Sequence, residues 1–166
     1  MPTGKNKPTT IIGIDPGIAD TGYGVIKEEN GKLLVLEYGS IKTPAKTGLP
    51  ERLNALRKKL SVLLEKYNPD LAVVEQLFFC TNVKTALTVG QARGVIIVSL
   101  AEQKIKIIEL TPLQVKQGLT GYGKADKKQM QQMVKAVLGL KEIPKPDDAA
   151  DALAMAVCGA TIRKYC

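Results

Sequence analysis

A mixed α/β domain, with an antiparallel edge and parallel β-α-β units, is the fold class that the sequence predicts. Three observations lead there. Three strand signals follow one another between residues 10 and 41. A leucine-rich helical pattern comes next. Short apolar runs then alternate with helical segments, as a parallel sheet with crossover helices requires. The 166-residue length fits one such domain, placed at residues 10–166 behind a flexible tail over residues 1–9.

The elements follow in order. Thr10 to Asp15 (TIIGID) is an apolar run closed by Asp-Pro-Gly, so it reads as a buried strand ending in a turn. Tyr23 to Lys27 and Leu33 to Ile41 are two more strands, with Glu28 to Gly31 as the turn between them. Leu53, Leu56, Leu60, Leu63 and Leu64 recur at helical spacing within Leu49 to Tyr67, and Asn68-Pro69 stops that helix. Asp70 to Glu75 (DLAVVE) is a strand with an acidic last residue. Thr81 to Leu100 is one helix or two, with Gly90 and Gly94 permitting close approach. Ile105 to Leu110 is the fifth strand. Thr111-Pro112 starts a helix, with Thr as cap and Pro at the first helical position. Gly118 to Gly123 reads as a loop, and Asp126 to Leu138 and Asp147 to Arg163 as the last two helices.

Charge and composition narrow the function. Hydrophobic residues make up 45% of the chain, enough for a core. The net charge of +8 points to a polyanion, with nucleic acid the commonest. The basic residues are uneven: Lys104 to Lys145 holds nine lysines against three acids. Histidine is absent, which excludes Ser-His-Asp and Cys-His catalysis and every His-ligated metal site. Cys80, Cys158 and Cys166 are odd in number and far apart, so no disulfide framework is expected and a reducing cytoplasm fits. No segment reads as long and apolar enough to span a membrane, and MPTGKNKPTT lacks the apolar core of a signal peptide.

Acids gather where elements end. Asp15 closes the first strand, Glu75 the fourth, and Asp148 and Asp151 lie in the first turns of an alanine-rich last helix (KPDDAADALAMAV). Sites in open α/β sheets form outside strand ends. Carboxylates brought together repel and raise one another's pKa, so a cation is expected among them. Oxygen-only ligation suits Mg²⁺ or Mn²⁺. Asp148 and Asp151 share a helix face at i,i+3, and so do Asp147 and Asp151 at i,i+4. Spacing does not choose between them. Asp147 follows Pro146 and is expected to be the helix N-cap, which leaves Asp148 as the first helical residue.

GIDPGIADTGYGVI (Gly13 to Ile26), VVEQLFF (Val73 to Phe79), GQARG (Gly90 to Gly94), TPLQVKQGLTGYGKADKKQ (Thr111 to Gln129) and DAADALAMAV (Asp148 to Val157) together resemble the RuvC-type Holliday-junction resolvases of bacteria. The likeness runs from about Ile11 to Ala156. It implies an RNase H-like fold: a five-stranded mixed sheet flanked by helices. It implies a homodimer whose two active sites each cut one strand of a four-way DNA junction, in recombination and repair, by Mg²⁺-dependent hydrolysis. The family's carboxylates fall on Asp15, Glu75, Asp148 and Asp151. Two Mg²⁺ ions are expected, with Mn²⁺ as a substitute, Asp15 shared between them and Glu75 and Asp151 holding one each with Asp148's help. Such pairs sit roughly 3.5–4 Å apart. Lys116 and Lys127 match lysines near the scissile phosphate. Phe78 matches an aromatic that stacks on bases, although core packing would explain it equally. Lys124, beside Gly121-Tyr122-Gly123, can follow a phosphate backbone. GQARG suits helix packing, with Arg93 as a possible DNA contact. The RuvA–RuvB branch-migration complex is an expected partner.

Three other readings compete. A YqgF-like RNA-processing nuclease shares the first strand motif but lacks the VEQ-x-F and DAADAL combination. Actin-like ATPases need two large lobes, which this length cannot supply. An inactive junction-binding scaffold would be favoured by an incomplete acid set, and here all four positions are acidic.

Overall fold

Five strands build one sheet in the computed structural model, which describes residues 7–77 and 82–165. In chain order the elements are β1 (Thr9–Asp15), β2 (Asp20–Glu29), β3 (Lys32–Lys42), α1 (Leu49–Tyr67), β4 (Leu71–Glu75), α2 (Val83–Glu102), β5 (Lys106–Leu110), α3 (Pro112–Thr120), α4 (Lys127–Val137) and α5 (Asp147–Ile162). The strand order is β3-β2-β1-β4-β5. β1 and β2, and β2 and β3, pair antiparallel; β1 and β4, and β4 and β5, pair parallel. This is the expected meander at one edge joined to parallel strands.

Local chemistry sets the boundaries. Asn30 and Gly31, at φ 52° and 78°, make the two-residue turn between β2 and β3, the geometry that suits the twist of paired strands. α1 ends at Asn68, a left-handed C-cap. α3 opens with a full capping box, Thr111 with Gln114, and α4 with another, Asp126 with Gln129. Gly118 lies inside α3 rather than in a loop, and Gly121, at φ 73°, ends that helix. The segment read as one helix or two is a single helix, α2, capped by the Asn82 side chain.

α2 also corrects the membrane expectation: by length and composition alone it is apolar enough to cross a bilayer. Its inner side nevertheless belongs to the core, with Ala92, Ile96 and Leu100 fully buried. Its apolar character therefore serves packing on that side, and an exposed stripe remains on the other.

Helices cover both sheet faces. Ile12, Ile14, Ala72 and Val74 pack with α1 and α2. Ile11, Leu71 and Val73 face the other way and pack with α5, behind which lie α3 and α4. Strand side chains alternate. Asp15, two residues beyond Gly13, and Glu75, two beyond Val73, therefore project on the α5 side.

α5 sits unusually close to the sheet because glycines lie beneath it. A Cβ on Gly13 would come 1.9 Å from the Ala152 carbonyl oxygen, and one on Gly22 would come 2.2 Å from that of Asp148. The far end of the chain is pinned by Arg163 and Lys164, which pair with the buried Glu28 at 2.5 and 3.0 Å.

Candidate active site

Strand pairing brings Asp15 and Glu75 together. Ile14 lies opposite Val74 in the parallel β1–β4 ladder, so the two acids end neighbouring strands on one face. α5 crosses above them and lowers its first turns onto the sheet edge. Carboxylate oxygens of Asp15, Asp148 and Asp151 lie within 4.8 Å of one another. Glu75 stands beside them: it lines the same cleft as Asp151, and its charge acts on Asp15. All four acids singled out from the sequence thus converge.

The electrostatics of the cluster are unfavourable without a counter-charge. Burial, then the charges of Glu75, Asp151 and Asp148, push Asp15 up to about 8. Burial raises Glu75, and the nearby Asp151 adds to it. Burial raises Asp151 too, offset in part by Lys127. A carboxyl that stays protonated close to neutrality carries no charge with which to hold a cation. A divalent cation would relieve the repulsion and use the same oxygens, and an all-oxygen donor set suits a hard ion. The residues present fit such an ion.

This predicts a pH dependence of stability. Asp15 has a folded pKa of about 8 against an ordinary value of 3.8. Over that interval the folded state holds a proton that the unfolded state has lost, so stability falls as pH rises. Thermal melts of metal-free protein should show a declining Tm from about pH 5 to 8. Added Mg²⁺ should restore most at the upper end, where no proton competes. Glu37, held down at about 2 by hydrogen bonds from Lys66, Tyr67 and Tyr23, titrates below that window. A flat profile in metal-free protein would show that the four acids do not interact as described.

The lysines are placed unequally. A cleft of ≈ 240 Å³ is lined by Glu75 and Asp151 together with Lys116 and Lys127. Both lysines expected near a scissile phosphate therefore border the acids. Lys127 pairs with Asp147 at 2.7 Å, and Gln131 donates to the same carboxylate at 3.1 Å. Lys124 is exposed in the loop between α3 and α4. Arg93 is engaged inward: its Nε donates to the Glu75 carbonyl at 3.2 Å, and its guanidinium pairs with Glu109 at 2.6 Å. Phe78 lies outside the described residues.

One expectation about α5 is corrected. The N-cap is Pro146, and Asp147 is the first helical residue, without a side-chain cap bond. Asp148 is the second. Asp147 is drawn outward by Lys127 and Gln131 from α4, a tertiary pull that a cap rule cannot register. Asp148 is consequently the neighbour that faces Asp15, as the family likeness implied.

Several supporting residues escaped the sequence reading. The turn after Asp15 is held by three successive carbonyls. The Thr21 hydroxyl donates to Gly17 at 2.6 Å, the Thr43 hydroxyl to Ile18, and the Thr43 N–H to Ala19 at 3.2 Å. Arg52 Nε donates in turn to the Thr43 hydroxyl at 3.0 Å. Nothing local marks Thr43 or Arg52, because their partners are distant in sequence.

Comparisons with known proteins point to one family. The family described as crossover junction endodeoxyribonuclease RuvC matches residues 11–159. The crossover junction endodeoxyribonuclease RuvC of Alkaliphilus oremlandii is 56% identical over 150 residues, covering 90% of this chain and 92% of that protein. Its counterpart from Halothermothrix orenii is 53% identical over 148 residues, covering 89% and 90%. Among solved structures, T. thermophilus RuvC in complex with a Holliday junction substrate superposes with a TM-score of 0.89 at 34% identity, covering 95% of this chain and 96% of that one. The yeast mitochondrial resolvase Ydc2, 20% identical with a TM-score of 0.66, shares the fold.

Proposed function

Because the chain belongs to the crossover junction endodeoxyribonuclease RuvC family, we propose that it resolves four-way DNA junctions by hydrolysing one phosphodiester bond in each of two strands. The observation that carries this is the convergence of Asp15, Asp148 and Asp151, with Glu75 beside them, at the end of the central strands. Residues 10–166 act as one nuclease domain, since all five strands share one sheet.

Asp15, Glu75, Asp148 and Asp151 would hold Mg²⁺, two ions per site. Bound there, the ions supply a nucleophilic water at neutral pH and a Lewis acid for the leaving oxygen. The protein's own groups do the rest. β1 and β4 hold Asp15 and Glu75 on a rigid sheet. Lys116 and Lys127 neutralise the phosphate in the cleft; Lys127 exchanges Asp147 for it, since an exposed ion pair is weakly held. Lys124 follows the backbone of an adjoining arm.

Cleavage of four-way junction, linear duplex and RNA, with and without Mg²⁺, tests the reading. The junction alone should be cut, and only with metal. Preferential RNA cleavage would favour a YqgF-like nuclease; tight junction binding without cleavage would make the protein a scaffold. Lys116→Ala should slow junction cleavage, and the log–log salt dependence of binding should become shallower by about one unit. Unchanged rate and slope would return Lys116 to the solvated surface.

A homodimer accounts for the exposed side of α2. Val83, Leu87 and Val98 are 81%, 64% and 53% exposed, and Gly94 between them has open space above it. An apolar stripe of this kind fits a second copy of the chain and would set two sites on one junction. Gly94→Arg should convert the protein to a monomer by light scattering and abolish paired cleavage; an unaltered mass would place the interface elsewhere. The DNA substrate and the free, buried Cys158 support a cytoplasmic location. Cooperation with the RuvA–RuvB machinery follows from the family likeness.

A further inference from the structure

Arg93 stands on α2, on the sheet face opposite the acid cluster, yet it touches the cluster's backbone. Its Nε donates to the Glu75 carbonyl at 3.2 Å. Its guanidinium also pairs with Glu109 at 2.6 Å, and the arginine side chain is only 21% exposed. Glu109 lies on β5 opposite Val74, one residue before the partner of Glu75. Glu75 is the last residue of β4, where the ladder ends. Beyond it the Gln76 N–H still reaches the Leu110 carbonyl at 2.8 Å. Glu75 therefore sits at the strand end, and its carbonyl is secured from another element. A planar guanidinium can bind two acceptors in a fixed geometry, which an ammonium cannot.

We propose that Arg93, locked by Glu109, is a positioning residue that fixes the backbone of Glu75 and so sets the metal-binding carboxylate, rather than a residue that contacts DNA. The proposal rests on the metal site proposed above. It also links the exposed stripe of α2 to the chemistry, because Arg93 ties that helix to the strand end.

Glu109→Gln separates the two roles. If Arg93 contacts DNA, loss of the Glu109 charge frees the guanidinium, and junction binding tightens. If Arg93 positions Glu75, loss of Glu109 loosens the clamp and harms the metal site. Three measurements on the full chain decide: Mn²⁺ binding by calorimetry without DNA, junction Kd in Ca²⁺ with its salt dependence, and the Mg²⁺ concentration for half-maximal cleavage. In Arg93→Ala and Glu109→Gln, Mn²⁺ affinity should fall and the half-saturating Mg²⁺ should rise, each about tenfold. That is less than the ~10²-fold that a 1 Å misplacement can cost. Junction Kd and its salt slope should stay within about twofold of wild type, a change of no more than ~0.4 kcal/mol. Arg93→Lys should rescue only in part.

A weaker junction Kd with a shallower salt slope in Arg93→Ala, and unchanged Mn²⁺ binding, would overturn the proposal. So would wild-type behaviour of both variants. Should Arg93→Ala fail to fold, Glu109→Gln decides alone, since that side chain is 43% exposed and lies outside the core. Wild-type protein that neither binds Mn²⁺ nor cleaves junctions would instead refute the proposed function.

Discussion

Asp15→Asn should abolish junction cleavage, by roughly 10²–10³-fold at the least, the cost of removing one preorganised charge-stabilising group. The side chain keeps its shape and loses the charge that would hold the ions. Junction binding should remain near wild type, because it rests on lysine–phosphate contacts that Asp15 does not make. Stability should move the other way. Asp15 is pushed up to about 8 by burial and three neighbouring acids, so the folded protein loses stability as that group ionises. Removing it should raise the Tm of metal-free protein at pH 8 and flatten its decline with pH. A variant that is dead yet more stable is the signature of a group kept for function. Cleavage within a few-fold of wild type would sink the proposed metal site.

Gly22→Ala should have the second largest effect, and by a different route. The new Cβ would lie 2.2 Å from the Asp148 carbonyl oxygen and 2.4 Å from its carbonyl carbon. Neither is the end of a flexible side chain, so the first turn of α5 must lift from β2. Overpacking of this kind costs about 1–3 kcal/mol, read as a lower Tm. The larger loss should be in activity, because the displaced turn carries Asp148 and is followed by Asp151. A shift near 1 Å in reacting groups costs about 10²-fold. Higher Mg²⁺ should recover part of the rate if displacement weakens metal binding. Normal cleavage with a normal Tm would mean that α5 does not approach the sheet as closely as described.

Much of this was legible in the residues themselves. The short apolar runs TIIGID and DLAVVE predict two buried strands with an acid at the end of each. Parity then puts Asp15 and Glu75 on the faces of Ile11 and Leu71. The i,i+3 spacing of Asp148 and Asp151 needs only helix geometry. Thr111 reads as a cap because the signal, Thr followed by Pro, is complete within two residues. Where a signal is contained in one turn or one strand, local stereochemistry decides it.

The tertiary structure decided what depends on contacts distant in sequence. Asp147 followed a proline and looked like a cap, but Lys127 and Gln131 on another helix draw its carboxylate outward. Arg93 carried the charge expected of a DNA contact, and only the packing of α2 beside β4 and β5 turned it inward to Glu75 and Glu109. Thr43 and Arg52 had no signal at all. Gly13 and Gly22 stood in a recognisable motif, yet what they make room for became visible only with α5 laid across them. The sequence by itself pointed to the fold class and to acids at two strand ends and in the first turns of the last helix, with the oxygen-ligand chemistry they suit, because periodicity and residue type are local properties. Which neighbouring acid faces the site, and which cation is spent on holding it, was settled by the packing of helices against the sheet, since an ion pair forms with whatever charge the fold brings near.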